Sequence, residues 1–541
     1  MRNSAQQSKR LFPRSGSIVR MRFILTVAVA FLLTGRDAIA AMSAPALPAA
    51  SDIGASSGQK RAQERVGAIL RSEELRTGLC GVLAVRMDGD TLVNFASGHK
   101  LVPASTAKLI STGLALKVLG PDYRYGTTLK YSGTVRDSVL KGDLYIVGGG
   151  DPTTGAVFPG SRPVSELFAQ WKQILLDAGI SSIDGRIIAD PRFFGDPAPE
   201  NPGWSLEDLG FAYGAAPRGL NFYENSRSFY VASAASPLAP PVVTLKYPDY
   251  PQLDLGVSAI CTKSATYDDL YCVNSEFAPY AEFRGAFPLG SRGYVIECSN
   301  RFGPLTCAEY FRRYLRGNGV PVSGDAAYLD ARGYLHGSPG YADDGLRCAS
   351  GLQTLGKTLS VPLSEIARVT NYRSDNFFAE TLLRTLGGHL QHSCRYDSCC
   401  IAANRQLERM GLDVRGGCRL YDGSGLSRKN YISPSFFVSF LKAMTHTPVF
   451  ESFYASLPSP GMEKTSLVNR FKDSPEALKA RIRMKSGSMN GVRCFCGYIE
   501  ASDGDPRHRV AFSVMTNNVT APGTSVYRLI EGIILAIVEE N

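Results

Sequence analysis

The chain has 541 residues, which is too long for one hydrophobic core. Of these residues 44% are hydrophobic and 20% charged, a composition typical of a globular protein. The formal net charge is +10, but residues 1–40 carry +6 of it and leave +4 for the rest. The remaining basic residues are scattered, without the clustered Lys/Arg and interleaved aromatics of a nucleic-acid-binding surface, so no nucleic-acid partner is expected.

The N-terminal segment is typical of a secretory signal. Basic residues precede an apolar run at 23–33, and Ala38-Ile39-Ala40 has the small-x-small pattern of a cleavage site. We therefore predict a signal peptide at 1–40 and export to the periplasm or cell envelope. The apolar run is too short to span a bilayer comfortably, so no membrane span is expected after cleavage. A Pro/Ala/Ser/Gly-rich stretch at 41–63 is predicted to be a flexible linker.

The next segment leads to a serine and a lysine. Its pattern predicts a helix over 61–75, a β-hairpin over 80–96 and a helix over 106–119 with a buried apolar face. Ser105 stands at the N-terminus of this last helix, where backbone N–H groups and the helix dipole favour a developing anion. Lys108 follows on the same face, and a neutral lysine amine can take a proton from a serine hydroxyl. The Ser-x-x-Lys spacing also occurs elsewhere in the chain, so it carries weight only with other motifs.

Residues 126–352 are predicted to be an insertion of one or two small, strand-rich domains that hangs from one end of the catalytic part. Strand patterns begin at Leu129, a helix is predicted over 164–178, and the stretch 191–352 is rich in loops and short strands with little helix.

Two further motifs follow the insertion. Ser374-Asp375-Asn376 lies in a loop between helical patterns at 363–370 and 377–386. Lys485-Ser486-Gly487-Ser488 lies on an extended run that precedes a strand pattern at 492–501.

The chain ends with three strand patterns and an apolar helix over 526–539. We expect the strands to be antiparallel and the helix to pack on their sheet rather than to anchor in a membrane, because it ends in two glutamates. With the N-terminal hairpin they predict a discontinuous catalytic domain formed by 64–125 and 353–541.

Three motifs thus stand in order on a helix, a loop and a strand, and this ordered set is the signature of penicillin-binding proteins and class A β-lactamases. The chain resembles a low-molecular-mass penicillin-binding protein of the D-alanyl-D-alanine carboxypeptidase/endopeptidase type, in the subfamily with a large insertion between the first two motifs. Ser105 and Ser374 are 269 positions apart, which matches that insertion. Other stretches that resemble the subfamily are 103–109, 119–123, 146–153, 203–208, 213–215, 422–428 and 515–518.

The resemblance implies an α/β (α+β) fold with a serine β-lactamase/transpeptidase-like catalytic domain, an antiparallel sheet flanked by helices. Ser105 would be the nucleophile and Lys108 its general base, with a pKa lowered by burial and by the nearby Lys485. Ser374 would relay a proton to the leaving amine, Asn376 would bind the substrate amide, and Lys485 would hold the terminal carboxylate.

The resemblance also implies a substrate-binding set. The backbone N–H groups of Ser105 and Ser488 would form the oxyanion hole. The third motif is Lys-Ser-Gly-Ser rather than Lys-Thr-Gly-Thr, but serine keeps the hydroxyls, so activity is expected. Asp151, Arg428 and Asn490 would line the subsite for a diamino acid side chain, although turn capping or a structural ion pair remains an alternative for Asp151 and Arg428. The substrate-binding residues implied in this way are Ser486, Gly487, Ser488, Asp151, Arg428 and Asn490.

The function implied is that of a serine-type D-Ala-D-Ala carboxypeptidase that also acts as a DD-endopeptidase on peptidoglycan stem peptides and is acylated by penicillin at Ser105. Two alternatives stay open: a β-lactamase or esterase of the same fold, and a non-catalytic peptidoglycan-binding protein. No cofactor and no metal is expected.

The twelve cysteines predict at least three disulfides in an exported protein. Short loops favour the pairs Cys261–Cys272 and Cys298–Cys307, whereas Cys494 and Cys496 share one face of a strand and should bond elsewhere or stay buried as thiols. A metal site is the alternative for one group of residues, whose spacing fits no standard zinc motif: His389, His392, Cys394, Cys399 and Cys400.

Overall fold

The computed structural model describes residues 57–195, 199–338 and 345–541. The predicted signal peptide at 1–40 lies outside this part of the chain, as does most of the predicted linker at 41–63. The last residues of that linker are helical, because the first helix already begins at Ser57. None of the helices in the described part combines the length and the apolarity needed to cross a membrane.

The described residues form thirteen α-helices and five short 3-10 helices. The 3-10 helices are Ala104–Ala107, Arg192–Phe194, Ala212–Gly214, Tyr223–Asn225 and Tyr267–Asp269. The α-helices are α1 (Ser57–Leu70), α2 (Lys108–Leu119), α3 (Val164–Asp177), α4 (Leu206–Leu209), α5 (Gly303–Gly317), α6 (Leu363–Arg373), α7 (Asn376–Gln391), α8 (Tyr396–Arg409), α9 (Val414–Gly417), α10 (Pro434–Thr445), α11 (Phe450–Ala455), α12 (Glu476–Ala480) and α13 (Gly523–Glu539).

Twenty-three strands accompany these helices within the described residues. They are β1 (Leu79–Arg86), β2 (Thr91–Phe95), β3 (Gly126–Tyr131), β4 (Thr134–Arg136), β5 (Val139–Lys141), β6 (Leu144–Val147), β7 (Ser182–Asp184), β8 (Ile187–Asp190), β9 (Ser226–Ala232), β10 (Val242–Tyr247), β11 (Asp254–Val257), β12 (Ile260–Thr262), β13 (Leu270–Asn274), β14 (Tyr280–Pro288), β15 (Tyr294–Ser299), β16 (Ala326–Leu329), β17 (Leu335–His336), β18 (Gln353–Leu359), β19 (Cys418–Arg419), β20 (Tyr431–Ile432), β21 (Ile482–Met489), β22 (Val492–Ile499) and β23 (Val510–Asn517).

The part predicted to be catalytic contains a five-stranded antiparallel sheet in the order β2-β1-β23-β22-β21, which joins the first two strands of the described residues to the last three. Its central strand β23 is buried on both faces because helices cover each side. Val510, Phe512 and Val514 pack into one core with α1 and α13, while Ala511 and Met515 face the other core. This alternation follows from the two-residue period of a strand.

The second core belongs to a helical lobe that holds two of the three motifs. Helix α2 is buried along most of its length and packs against α6 and α7. Helix α7 begins directly after Asp375, whose side chain accepts a hydrogen bond from the Phe378 N–H at 3.0 Å and caps the helix. The lobe therefore brings the N-termini of the Ser105 segment and of α7 together beside strand β21.

The insertion contains a six-stranded mixed sheet in the order β17-β16-β8-β6-β3-β18, packed against α3 and α5. Smaller sheets are formed by β10-β9-β15, by β11 to β14, and by β4-β5-β7. Strand β18, Gln353–Leu359, pairs with β3 and therefore belongs to the sheet of the insertion, although residue 353 was the predicted start of the second catalytic segment. Helix α5 corrects the expectation of little helix in 191–352: Pro304 opens it, and Leu305, Ala308, Phe311 and Leu315 form its buried stripe.

The structure records no disulfide among the described residues, and the pairing Cys261–Cys272 is wrong for a clear reason. Both residues flank β14, but Cys261 lies opposite Phe287 and Cys272 opposite Phe283. Four residues along a strand separate these positions by roughly 13 Å, which is too far for a disulfide.

The pairing Cys298–Cys307 is also not formed. Cys298 lies in the core of the small insertion sheets, whereas Cys307 lies in the core beneath the six-stranded sheet. Cys494 and Cys496 are both buried thiols in β22, as one of the two expectations for them stated. The alternative metal site gains no support, since no group of three or more potential ligands is arranged to hold an ion within the described residues.

Candidate active site

Ser105 lies in the 3-10 turn Ala104–Ala107 that leads into α2, half-buried and on the wall of a large cavity. Ala104, directly before it, has a φ of +46°, a conformation that is rare for residues other than glycine. The turn places Lys108 at the first position of α2. Ser105 and Lys108 were predicted to lie on one face of an α-helix, but a 3-10 turn joins them instead.

Lys108 is fully buried, and its Nζ lies within hydrogen-bond distance of three oxygen atoms. These are Ser105 Oγ at 2.8 Å, Asn376 Oδ1 at 2.6 Å and the Ser424 carbonyl oxygen at 2.8 Å. Asn376 Oδ1 and the Ser424 carbonyl oxygen can only accept hydrogen bonds. A neutral lysine amine therefore donates its two hydrogens to these oxygens and directs its lone pair at the Ser105 hydroxyl. This arrangement suits proton abstraction from Ser105.

Burial lowers the pKa of Lys108 to about 8, and the carboxylates of Glu380, Asp422 and Asp375 oppose this shift. Burial was the expected cause. The charge of Lys485 was expected to lower the pKa of Lys108 as well, but it is not among the causes of that shift. Instead the pKa of Lys485 is lowered, first by its own burial and then by the charge of Lys108.

Asn376 is held in one orientation by the insertion. Its Nδ2 donates to the Tyr213 carbonyl oxygen at 2.9 Å, which can only accept, so Oδ1 must face Lys108. Tyr213 belongs to the 3-10 helix Ala212–Gly214. A backbone group of the insertion therefore fixes a side chain next to the candidate nucleophile.

Ser374 and Lys485 form the second pair of the site. Ser374 ends α6 in the left-handed conformation with a φ of +60°, which turns the chain towards α7. Lys485 is fully buried in β21, and its Nζ donates to Ser374 Oγ at 2.8 Å and to the Ser486 carbonyl at 2.6 Å. The Ser374 hydroxyl hydrogen thus remains available for another acceptor.

Strand β21 runs close to the nucleophile because its third motif contains a glycine. A Cβ atom at Gly487 would lie 2.7 Å from the Pro103 carbonyl oxygen and 3.0 Å from the Ser105 nitrogen. Real side chains do not tolerate such contacts with backbone atoms, so only glycine allows this approach. Ser486 is turned away and donates to Ser466 Oγ at 3.1 Å.

A cavity of about 1,100 Å³ opens in front of Ser105 and Asn376. Ser488, Asn490 and Arg428 line its catalytic side. The opposite wall comes from the insertion and is rich in aromatic and acidic side chains: Glu207, Asp208, Phe211, Tyr213, Tyr267, Asp268, Tyr294 and Glu297.

The diamino acid subsite implied by the resemblance is only partly assembled. Arg428 Nη2 donates to the Asn490 carbonyl at 3.0 Å, so these two residues are together on the cavity wall. Asp151 is buried instead, where its carboxylate accepts from the Thr153 N–H and hydroxyl at 2.8 and 2.6 Å. That is the turn-capping role which the sequence left open for it.

Two buried carboxyl groups behind the cavity were missed. Glu380 accepts backbone hydrogen bonds from Gly423 and Ser424, and Asp422 accepts from Asn430 and from the Trp204 indole of the insertion. Glu380 follows Asn376 by one helical turn, and this spacing was the only signal that could have indicated it.

Comparison with known proteins yields a consistent set of relatives. The model of the D-Ala-D-Ala carboxypeptidase 3 (S13) family matches residues 62–531. A D-alanyl-D-alanine carboxypeptidase of Actinomadura sp. (strain R39) is 28% identical over 474 residues, which cover 85% of this chain and 81% of the relative.

Solved structures show the same fold. Penicillin binding protein 4 (dacB) of Haemophilus influenzae superposes with a TM-score of 0.72 at 20% identity, covering 88% of this chain and 99% of that protein. The structure of the same protein complexed with a β-lactam has a TM-score of 0.67 at 19% identity, with the same coverage.

Proposed function

Because the chain belongs to the D-Ala-D-Ala carboxypeptidase 3 (S13) family of serine-type carboxypeptidases, we propose that it cleaves peptidoglycan stem peptides through an acyl-enzyme on Ser105. The observation that carries this proposal is the position of Lys108 Nζ, 2.8 Å from Ser105 Oγ with two other oxygens to take its hydrogens.

In the first step, neutral Lys108 takes the proton of the Ser105 hydroxyl while Oγ attacks the carbonyl carbon of the penultimate D-alanine. The oxyanion that forms is stabilised by the backbone N–H groups of Ser105 and Ser488. The close approach of β21 at Gly487 supports this pairing, since it brings the third motif against the Ser105 turn.

Collapse of the tetrahedral intermediate breaks the amide bond and leaves an ester on Ser105. The leaving amine needs one proton, and this is the proton that Lys108 took from Ser105. Ser374 relays it, because Lys485 donates to Ser374 Oγ and leaves the hydroxyl hydrogen free to turn to the substrate. Water then attacks the ester, releases the shortened peptide and restores Ser105.

The terminal carboxylate of the substrate binds beside Lys485, with the Ser488 hydroxyl as a further donor. Ser486, to which the resemblance assigned the same role, instead donates to Ser466 Oγ. Burial lowers the pKa of Lys485 in the free enzyme, and an incoming carboxylate raises it again because the opposite charge favours the ammonium form. The ammonium form of Lys485 and the substrate carboxylate then form the ion pair that holds the substrate.

The cavity supports endopeptidase cleavage in addition to carboxypeptidase cleavage. Its volume of about 1,100 Å³ reaches the upper end of ordinary small-molecule sites and leaves room for more than a terminal alanine. Arg428 and Asn490 on its wall contact the side chain at the third position of the stem peptide.

Penicillin acylates the same serine in this proposal, as the β-lactam complex of the structural neighbour supports. The acyl-enzyme should be long-lived, because in the described part of the chain Ser105 Oγ is hydrogen-bonded to Lys108 and not to a carboxylate, and Glu380 is bound to backbone N–H groups. Rapid drug turnover would require a base placed to activate water at the ester.

The proposed site of action is the periplasm or cell envelope, where peptidoglycan lies. The basis is the predicted signal peptide, and disulfides are expected to form in that oxidising compartment.

Incubation of the purified protein with monomeric and cross-linked muropeptides, followed by mass analysis, tests the activity. We expect loss of one D-alanine from pentapeptides and conversion of cross-linked dimers to monomers, with both products absent for Ser105→Ala. Release of D-alanine without dimer cleavage would exclude the endopeptidase activity. Formation of neither product would contradict the proposal as a whole.

A further inference from the structure

Glu380 is a fully buried glutamate on α7 that the mechanism above does not use. The Ser424 N–H donates to its Oε1 at 2.7 Å, and the Gly423 N–H lies 3.1 and 3.0 Å from its two oxygens. All of these partners are donors, so the carboxyl group accepts from a peptide of the loop that follows Asp422.

The same short stretch of loop is bound from its other side by α2. The Ser424 carbonyl accepts from Lys108 Nζ at 2.8 Å, and the Gly423 carbonyl accepts from Ser111 Oγ at 2.5 Å. Ser424 therefore connects Glu380 to Lys108 through its own N–H and C=O groups. A shift of the Glu380 carboxylate moves the oxygen that holds the lysine amine.

The loop has little freedom to adjust, because it packs at Gly425 against the backbone of Ala104, the residue before Ser105. Gly425 has a φ of +81°, and a Cβ atom there would lie 1.9 Å from the Ala104 carbonyl oxygen. Asp422 fixes the next part of the loop by accepting the Gly425 N–H at 2.8 Å and the Ser427 N–H at 2.6 Å.

The charges around Glu380 come from several elements. Lys108 faces it from α2 and Asp422 from the loop, while Tyr396 and Cys399 of α8 and Arg384 of α7 surround it farther away. Burial and then the neighbouring Asp422 raise the pKa of Glu380 to about 8, whereas the loop N–H groups lower it. Glu380 and Asp422 are thus two buried carboxyl groups that influence each other's titration, and the charge of Glu380 raises the pKa of Lys108.

We propose that Glu380 is the positioning residue of the general base: its carboxylate accepts the Ser424 N–H, and the Ser424 carbonyl in turn holds Lys108 Nζ. The inference rests on the proposed role of Lys108 as the base. It extends that role, because a carboxylate that never touches the substrate sets the pH at which acylation begins.

The test is the second-order rate constant for acylation by fluorescent penicillin, measured across the pH range for the full chain. Acylation needs neutral Lys108, so the wild-type rate rises with pH through an inflection near pH 8. In Glu380→Gln the negative charge is gone, so we expect the inflection to move to lower pH by roughly one unit. The maximum should fall about ten-fold, because the amide offers one accepting oxygen where the carboxylate offered two.

Two further variants separate charge from structure. Glu380→Asp keeps the charge but retracts it, so its inflection should lie between those of Glu380→Gln and wild type while the maximum falls; this variant also decides the matter if the glutamine variant does not fold. The matched control is Glu309→Gln, which removes another buried glutamate, paired with Arg312 and Arg313 on α5, and should leave the profile unchanged.

A Glu380→Gln profile that falls by the same factor at every pH would overturn the inference and reduce Glu380 to a structural residue. A Glu380→Asp inflection displaced from wild type by as much as that of Glu380→Gln, or by more, would also overturn it. Both outcomes leave the proposed function intact if wild type is labelled at Ser105, whereas wild type without any adduct would overturn both.

Discussion

At the scale of single residues, the oxygen atoms around Lys108 determine where the lone pair of its neutral amine points. Asn376 Oδ1 and the Ser424 carbonyl take two hydrogens, so the neutral amine has only its lone pair left for Ser105. Each of these oxygens is fixed by a third group, the Tyr213 carbonyl through Asn376 Nδ2 and Glu380 through the Ser424 peptide. The geometry around Lys108, the proposed base, thus depends on residues outside the three motifs.

Lys485→Ala tests the second lysine. Removing the group that pairs with the substrate carboxylate should weaken the transition state by roughly 2–4 kcal/mol, a loss of about 30- to 1,000-fold in kcat/KM for D-alanine release. Steady-state kinetics with a D-Ala-D-Ala peptide measures this, with thermal unfolding to show that the fold persists.

The matched control for this variant is Lys479→Ala, since Lys479 is also largely buried but pairs with Glu476 on α12. It should keep the wild-type rate. An unchanged rate in Lys485→Ala would exclude Lys485 from the site.

At the scale of elements, the site depends on how closely strand β21 approaches the turn that carries Ser105. Gly487→Ala places a methyl group 2.7 Å from the Pro103 carbonyl and must push the strand away. We expect a loss of at least about 100-fold in acylation by penicillin, because misplacement of the oxyanion donors by about 1 Å has an effect of that order.

Gly98→Ala is the matched control for the glycine variant, because a Cβ at Gly98 meets open space. Stopped-flow acylation of both variants gives the comparison. If Gly487→Ala acylated at the wild-type rate, β21 would not contribute to the oxyanion hole.

Elements with strong local patterns were predictable from the sequence. The terminal strands alternate between two cores and α13 follows a helical period, so both were expected. Helix α5 was missed because its apolar stripe lies in a stretch dominated by loop signals. The disulfide pairs failed because short sequence separation says nothing about strand register, which puts Cys261 and Cys272 at different positions of β14.

The structure brings residues of the three motifs together, with Lys108 bound to Ser105 and Asn376 and Lys485 bound to Ser374. The residues that orient these side chains were not predicted. Glu380 is a helical residue 43 positions before its partner Gly423, and no local pattern reports such a contact. Asp151 shows the converse: its motif suggested a cavity residue, but its own turn satisfies its carboxylate.

At the scale of the whole molecule, the insertion takes part in the site rather than hanging from one end of the catalytic part. The Tyr213 carbonyl orients Asn376, and the Trp204 indole donates to the buried Asp422 at 2.9 Å. The insertion also supplies the aromatic and acidic wall of the cavity. Such contacts join residues more than 160 positions apart, so only the folded chain reveals them.

The central claim is that Ser105, activated by Lys108, is the nucleophile, and covalent labelling with fluorescent penicillin tests it most directly. Peptide mapping should place the adduct on Ser105 and show that it persists for minutes. Ser105→Ala should abolish labelling, and Lys108→Ala should slow it roughly 10²- to 10⁴-fold, the usual contribution of a general base. Ser57→Ala, which removes another Ser-x-x-Lys match, should label like wild type. An adduct on Ser57 or Ser424, or no adduct on the folded protein, would contradict the account.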